Sequence, residues 1–353
     1  MRIVPLSLCG CAAIVAVATT STRGIAQASS VASAPAAYEV VATFTSAGGT
    51  PHFPAVDPIR RRVYVSNLAH GTVTAFDAWS GQHRNAIRLG GVLHTAMVDA
   101  TRHLLFVADI AGNALDVIDT RTERELARVP VAAQPHGVAI DRTRARVYVS
   151  CVGADEVDVV DVSSPTARRA SGSLAWRVVA HVRVGPQPWG VAVDEQQRAI
   201  WSADTGQTPA GGSNDAGKTV TQIDATTLRV IRTVEVGSHP WHVAVDPVSH
   251  CVFVSVTASN LVAVIHDGRM VARIPVGRAP HGIVVDGSRR RVFVNNARDD
   301  SMSVIDADSW RVLQTVHVGK QPQGIALDST SGRVIVADQS DDRVTVVAPL
   351  ATR

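Results

Sequence analysis

From residue 39 to residue 348 the chain is built of short runs in which Val, Ile, Tyr and Phe alternate with small or polar residues, and Asp, Asn, Gly or Ser close each run. Alternation with a period of two, enriched in β-branched and aromatic residues and punctuated by turn formers, predicts strands. One stretch shows a full set of four: His281–Asp286, Arg291–Asn295, Ser301–Asp306 and Val312–Val318.

The first run of each set has its own signature, an anchor (Pro in all but one) followed by a variable residue, a short apolar segment and Asp. It occurs at Pro51–Asp57, Leu93–Asp99, Pro135–Asp141, Pro188–Asp194, Pro240–Asp246, Pro280–Asp286 and Pro322–Asp328. The steps from Asp to Asp are 42, 42, 53, 52, 40 and 42 residues, so the period is about 42 with two insertions, Ser163–Arg177 and Thr205–Thr219. Four strands per period, seven times over, predict an all-β, seven-bladed β-propeller with four-stranded blades over residues 39–348. The last set stops after its third strand, Arg343–Val347, while Glu39–Phe44 reads like the fourth strand Arg311–Val316. The N-terminal strand is therefore expected to complete the last blade, which closes the ring and removes open sheet edges.

Arg-Val-Tyr-Val-Ser-Asn at 62–67, Arg-Val-Tyr-Val-Ser at 146–150 and Arg-Val-Phe-Val-Asn-Asn at 291–296, with Val304-Ile-Asp306 and the Val-Gly-x-x-Pro-x-Gly run at 318–324, resemble the YVTN β-propeller family over about residues 39–348. The resemblance implies an exported binding or scaffold protein, related in shape to several redox enzymes. It carries no activity with it, because function resides in sites and not in folds.

In a propeller the first strand of each blade starts, and the second strand ends, on one face of the disc. Two sets of side chains are expected to meet there. The residues after the anchor are His52, His94, His136, Trp189, Trp241, His281 and Gln323; those at the second-strand ends are Asn67, Asp109, Cys151, Asp204, Val256, Asn296 and Asp338. In circular order the first set gives a polar arc of four His and one Gln facing two adjacent Trp, with His239 and His242 beside the second Trp. A few polar groups against a flat apolar wall suit a small-molecule site. The expected ligand-binding set is His52, His94, His136, Trp189, Trp241, His281, Gln323, Asp109, Asp204, Asn296 and Asp338. Imidazole and thiolate also suit copper, zinc or iron, which makes His52, His94, His136, His281 and Cys151 the expected metal ligands. The Gly- and Pro-rich insertion Thr205–Thr219 falls on the same face as a lid over the mouth. The anchor Asp residues (Asp57 to Asp328) and the third-strand Asp residues (Asp77, Asp119, Asp161, Asp224, Asp306) read as turn caps.

Three other functions are set against this one. A lactonase-like hydrolase would take His136 or His94 as base with Asp109 as its orienter, but neither set contains Glu. A cofactor-dependent oxidoreductase would need an added group, and no Cys-x-x-Cys-His run is present to attach haem. A protein or single-stranded nucleic-acid module could stack bases on Trp189 and Trp241. The basic runs Arg60–Arg62 and Arg289–Arg291 fall on the opposite face, however, which separates charge from the stacking surface, so nucleic acid is not the expected partner.

Composition adds little to this. The chain has 353 residues, 46% hydrophobic and 18% charged, with 34 basic against 31 acidic groups, which excludes a disordered chain and any strong single-sign field. Residues 1–28 form a basic start, an apolar core and a small-residue site ending at Ala28, the pattern of a secretory signal. Lipoprotein processing at Cys11 fits less well, because the longer apolar run follows that cysteine. The expected product is a periplasmic or secreted monomer with a flexible segment at 29–38, the propeller at 39–348 and a short tail at 349–353. Its formal charge of +3 falls to +1 once Arg2 and Arg23 are removed. Beyond the signal no stretch of 18 apolar residues occurs, so no membrane span is expected. Cys151 and Cys251 fall in different blades at opposite strand ends and are not expected to pair.

Overall fold

The computed structural model describes residues 37–163, 176–206 and 217–350. The expected signal and its cleavage site, Cys11, most of both insertions and the last three residues lie outside these. The described chain forms seven antiparallel four-stranded sheets. Blades 1 to 6 follow chain order. Blade 7 is assembled from Pro322–Asp328, Arg333–Asp338, Arg343–Pro349 and, at its outer edge, Tyr38–Thr45.

The N-terminal strand pairs antiparallel with the third strand of blade 7, from Tyr38 opposite Pro349 to Thr45 opposite Arg343, as the repeat arithmetic predicts. Tyr38 anchors it. Its backbone N–H donates to Gln314 Oε1 and its carbonyl accepts from Gln314 Nε2, each at 2.8 Å. Its ring meets Phe293 edge-on at 5.0 Å. The closing strand is thus tied to blade 6 as well as to blade 7.

Apolar residues gather into seven clusters, each drawn mainly from two neighbouring blades. One of them joins Val63, Val65 and Phe76 of blade 1 to Ile335, Val344 and Val346 of blade 7, so the ring is closed by packing as well as by pairing. Tyr64, Phe106, Tyr148, Phe253 and Phe293, all on second strands, are fully buried at these junctions. Cys151 and Cys251 are buried in blades 3 and 5 as free thiols.

The anchor Asp residues are turn caps. Asp57, Asp99, Asp141, Asp194 and Asp286 each accept the backbone N–H three residues on, at 2.8–3.1 Å. One residue later the chain turns through the left-handed region at Arg61, His103, Ala145, Arg198, His250, Arg290 and Gly332. The third-strand caps work likewise: Asp77 Oδ1 accepts from Trp79 and Ser80, and Asp224 Oδ1 from Thr226 and Thr227.

Candidate functional site

In all seven blades the pairing of first and second strands shifts by one residue immediately after the anchor. In blade 3, for example, Pro135 faces Cys151 and Val138 faces Val149. An extra residue on one strand is a β-bulge, which bends the strand and re-aims a side chain. Here it turns the residue after each anchor toward the channel. Glycines at the next position in four blades let the bulges approach; a Cβ on Gly190 would lie 2.7 Å from His242 Cα.

The result is an annulus whose members touch in series from His52 round to Gln323. His52 Nε2 and His94 Nε2 lie 2.7 Å apart. Ring centroids then step from His94 to His136 by 4.4 Å, to Trp189 by 4.4 Å, to Trp241 by 4.0 Å and to His281 by 4.4 Å. His281 Nδ1 donates to Gln323 Oε1 at 2.6 Å, and Gln339 Nε2 reaches His52 Nδ1 at 3.3 Å. All seven expected residues of the first set are therefore brought together. His52, His94, His136 and Gln323 are buried; Trp189, Trp241 and His281 are half-buried.

A second layer lies across the channel beneath this annulus. Where four blades have Gly, blade 1 has Phe53 and blade 5 has His242, and their rings stack at 5.3 Å. His242 Nδ1 is buried without a partner among the described residues. The signal for this layer was the departure from Gly at the third anchor position in three blades, at Phe53, Thr95 and His242, two of which carry rings. Below it a cavity of about 370 Å³ continues toward the opposite face, where Arg142 and Glu195 stand.

The second-strand set does not reach the channel. A residue at a strand end points along one face of its own sheet, and the Asn and Asp members of this set bond within their own blades. Asn67 donates to Thr72 and Thr74, and Asn296 to Ser301 and Ser303. Asp204 accepts from Thr219 and Thr221, and Asp338 from Thr345. Asp109 is held with Asp116 by Arg128. All are fully buried. Asp109, Asp204, Asn296 and Asp338 are accordingly pillars of the blades, which corrects their expected place at the mouth. Burial pushes the carboxyls of Asp204 and Asp338 up to about 7.

Cys151 is buried in the same way, with its thiol against the Val149 carbonyl at 3.6 Å, and burial with nearby Asp158 and Glu156 pushes it up. It does not join the four histidines. Those histidines do not converge on an ion either. Among the described residues no three of their ligand atoms lie mutually within 4.8 Å, so the arc offers at most a pair of donors at one point. Among the described residues, the one group of three or more such side chains with ligand atoms mutually within 4.8 Å is Glu156, Asp158 and His181.

Burial lowers every imidazole in the annulus and beneath it. His52 falls to about 3, with neighbouring His136 and His281 adding to the effect. His136, His242 and His281 fall to about 4, and His94 lies well below its ordinary value. All five are neutral at pH 7. His136 Nδ1 donates to the Gln134 carbonyl at 3.0 Å, not to a carboxylate. An imidazole so weakly basic, and without the Asp109 orienter, is poorly matched to proton abstraction at neutral pH. Its lone pair remains well suited to accepting a hydrogen bond.

Beside the Trp241–His281 stack an open groove of about 760 Å³ runs over blades 5 and 6, rimmed by His239, Asn260, Arg278 and Arg298. Arg278 is paired with Asp299 at 2.5 Å. Arg298 has no carboxylate partner among the described residues, yet its charge is felt at His281. On the opposite face the two basic runs are largely neutralised: Arg60 pairs with Asp57, Arg62 with Asp77, Arg289 with Asp286, Arg290 with Asp246 and Asp308, and Arg291 with Asp306.

Comparison with known proteins supports the fold alone. No family model matches the chain, and no curated protein sequence matches it. Many solved chains share its shape. One is a chain of Kuenenia stuttgartiensis hydrazine synthase, which superimposes with a TM-score of 0.73 over 88% of this chain and 98% of that one, at 17% identity. At that identity the likeness is to a propeller architecture and not to an activity. This chain is a seven-bladed β-propeller.

Proposed function

We propose that the protein is an exported binding propeller of the YVTN type, and that it takes a small planar carboxylate at the His/Trp face of its channel. The observation that carries this reading is the annulus itself. Seven planar side chains touching in series from His52 to Gln323, of which Trp189, Trp241 and His281 are half-buried and the rest buried, offer a pre-ordered stacking surface. The groove beside Trp241 adds an unpaired guanidinium, that of Arg298, and neutral imidazoles supply acceptors. Flat apolar area with a few placed polar groups is the usual make-up of a small-molecule site. The sequence of residues 1–28 supports export.

The test is a fluorescence screen of the mature chain against nicotinate, phthalate and indole-3-acetate, each beside its neutral amide. The reading expects saturable quenching by at least one carboxylate, weakened about tenfold or more in Arg298→Gln, since an ion pair in a partly desolvated groove is worth a kcal/mol or more. Equal response to acid and amide would remove the carboxylate. No response from any probe in a folded chain would remove the site.

A further inference from the structure

We propose that Glu156, Asp158 and His181, on the outer strands of blade 3, hold a divalent metal ion of the zinc or manganese class. The proposal is independent of the ligand reading above, because the two sites share no residue. Asp158 faces His181 across the third and fourth strands, with Asp158 Oδ1 2.6 Å from His181 Nδ1. Glu156 Oε1, two residues back on the same sheet face, lies 3.1 Å from the same nitrogen. Three donors at cis positions around an ion at 2.0–2.2 Å lie roughly 3 Å apart; these three lie mutually within 4.8 Å, and a bound ion would replace the two hydrogen bonds to His181 Nδ1. One imidazole and two carboxylates suit zinc or manganese. Asp158 is aimed by an outer contact, since its Oδ2 accepts the Ala132 backbone N–H at 2.8 Å, and such contacts orient metal ligands.

The other six blades serve as internal controls. At the position of Asp158 they carry Thr74, Asp116, Thr221, Ala263, Ser303 and Thr345, and opposite these, in place of His181, stand Ala86, Arg128, Thr233, Arg273, Thr315 and Thr43. Four of the six use a hydroxyl that bonds back to the second-strand end, as Thr345 does to Asp338. Blade 3 has Cys151 at that end, a poor partner, and Asp158 turns outward to His181. Blade 2 also buries a second carboxylate, but a permanent cation, Arg128, spans its Asp109 and Asp116. Blade 3 gathers two carboxylates with no such cation. Arg183 faces Glu156 in the strand register, yet its guanidinium contacts the Ala154 carbonyl at 3.5 Å, with no ion pair to Glu156. The blade therefore offers three ligand atoms, a net negative charge and a half-exposed approach where its siblings are closed.

The experiment is zinc titration of the chelator-treated mature chain by calorimetry, with X-ray absorption at the zinc edge on the loaded protein. The expected result is one equivalent bound, weakened about tenfold or more by Glu156→Gln and by His181→Gln, unchanged by the ring variant His94→Gln/His136→Gln, with a spectrum showing a single imidazole. Both outer variants keep surface side chains of similar size, and circular dichroism verifies their fold. Binding that survives Glu156→Gln and His181→Gln, a spectrum with two or more imidazoles, or no uptake by the folded wild type would each overturn the site.

Discussion

The imidazole of His281 lies flat on the indole of Trp241, with 4.4 Å between centroids and 2° between planes. The contact spans two blades, so it couples them at the rim of the groove. Stacked planar pairs are worth about 0.5–1.5 kcal/mol beyond the area they bury. A double-mutant cycle with Trp241→Leu and His281→Gln, read by urea unfolding, is expected to show a coupling of that size. Strict additivity would mean that the two rings fill space independently and that the annulus is not a cooperative unit.

Neutral histidines in the annulus make stability depend on pH. For His136 the folded value is about 4 and the ordinary value 6.5, so the unfolded chain takes up the proton first. Its contribution is fully present above pH 6.5 and is lost as pH falls toward 4, by about 1.4 kcal/mol per pH unit. Gln occupies the matching position in blade 7, at Gln323, which makes His136→Gln a tolerable change. The variant is expected to lose less Tm than wild type between pH 7 and pH 4.5. Asp116, Asp204 and Asp338, each pushed up to about 7, act in the opposite sense but are common to both chains and cancel in the difference. Parallel Tm profiles would show that His136 titrates normally.

Arg128 neutralises two carboxylates that are fully buried, Asp109 and Asp116. Removing the cation alone leaves uncompensated charge inside the blade, a change that typically costs about 3–5 kcal/mol. Arg128→Met is expected to destabilise by that order in chemical denaturation. The remedy is written in blade 6, where Asn296 bonds Ser303: adding Asp109→Asn and Asp116→Ser to Arg128→Met is expected to recover most of the loss. Failure of the triple variant to recover would show that Arg128 acts through packing and not through charge.

The seven-fold repeat and its closure were legible because anchor Pro, Asp cap and β-branched runs are local features that the register merely assembles. The first ring was legible for the same reason, since each member follows its anchor directly. The second set was misplaced because position at a strand end says which face of the disc a residue is near, not which face of its sheet it occupies. Asn67, Asp109 and Asp338 needed the second-to-third strand register to be seen turning into their own blades. Phe53 and His242 were visible only as departures from Gly, and their stacking joins residues 189 positions apart. His181 had no local signal, because its meeting with Asp158 depends on a pairing across the Ser163–Arg177 insertion.

The annulus is held from behind by hydroxyls on the second strands. Ser150 Oγ accepts the Gly137 N–H of its own bulge at 2.8 Å and donates to the Trp189 carbonyl of the next blade at 2.5 Å. Ser66 does the same toward His94, Ser255 toward His281, and Asn295 reaches the Gln323 carbonyl. Ser150→Ala removes the acceptor of the buried Gly137 N–H and the tie to the Trp189 carbonyl, which costs about 1–3 kcal/mol. The lost latch frees the bulge that presents Trp189, so the variant is expected to show both a lower unfolding midpoint and a shifted Trp emission. Ser309→Ala, which removes only an exposed turn hydroxyl on Asp306, is the control and is expected to change neither. A Ser150→Ala variant with wild-type emission would mean that the ring is positioned by side-chain stacking alone.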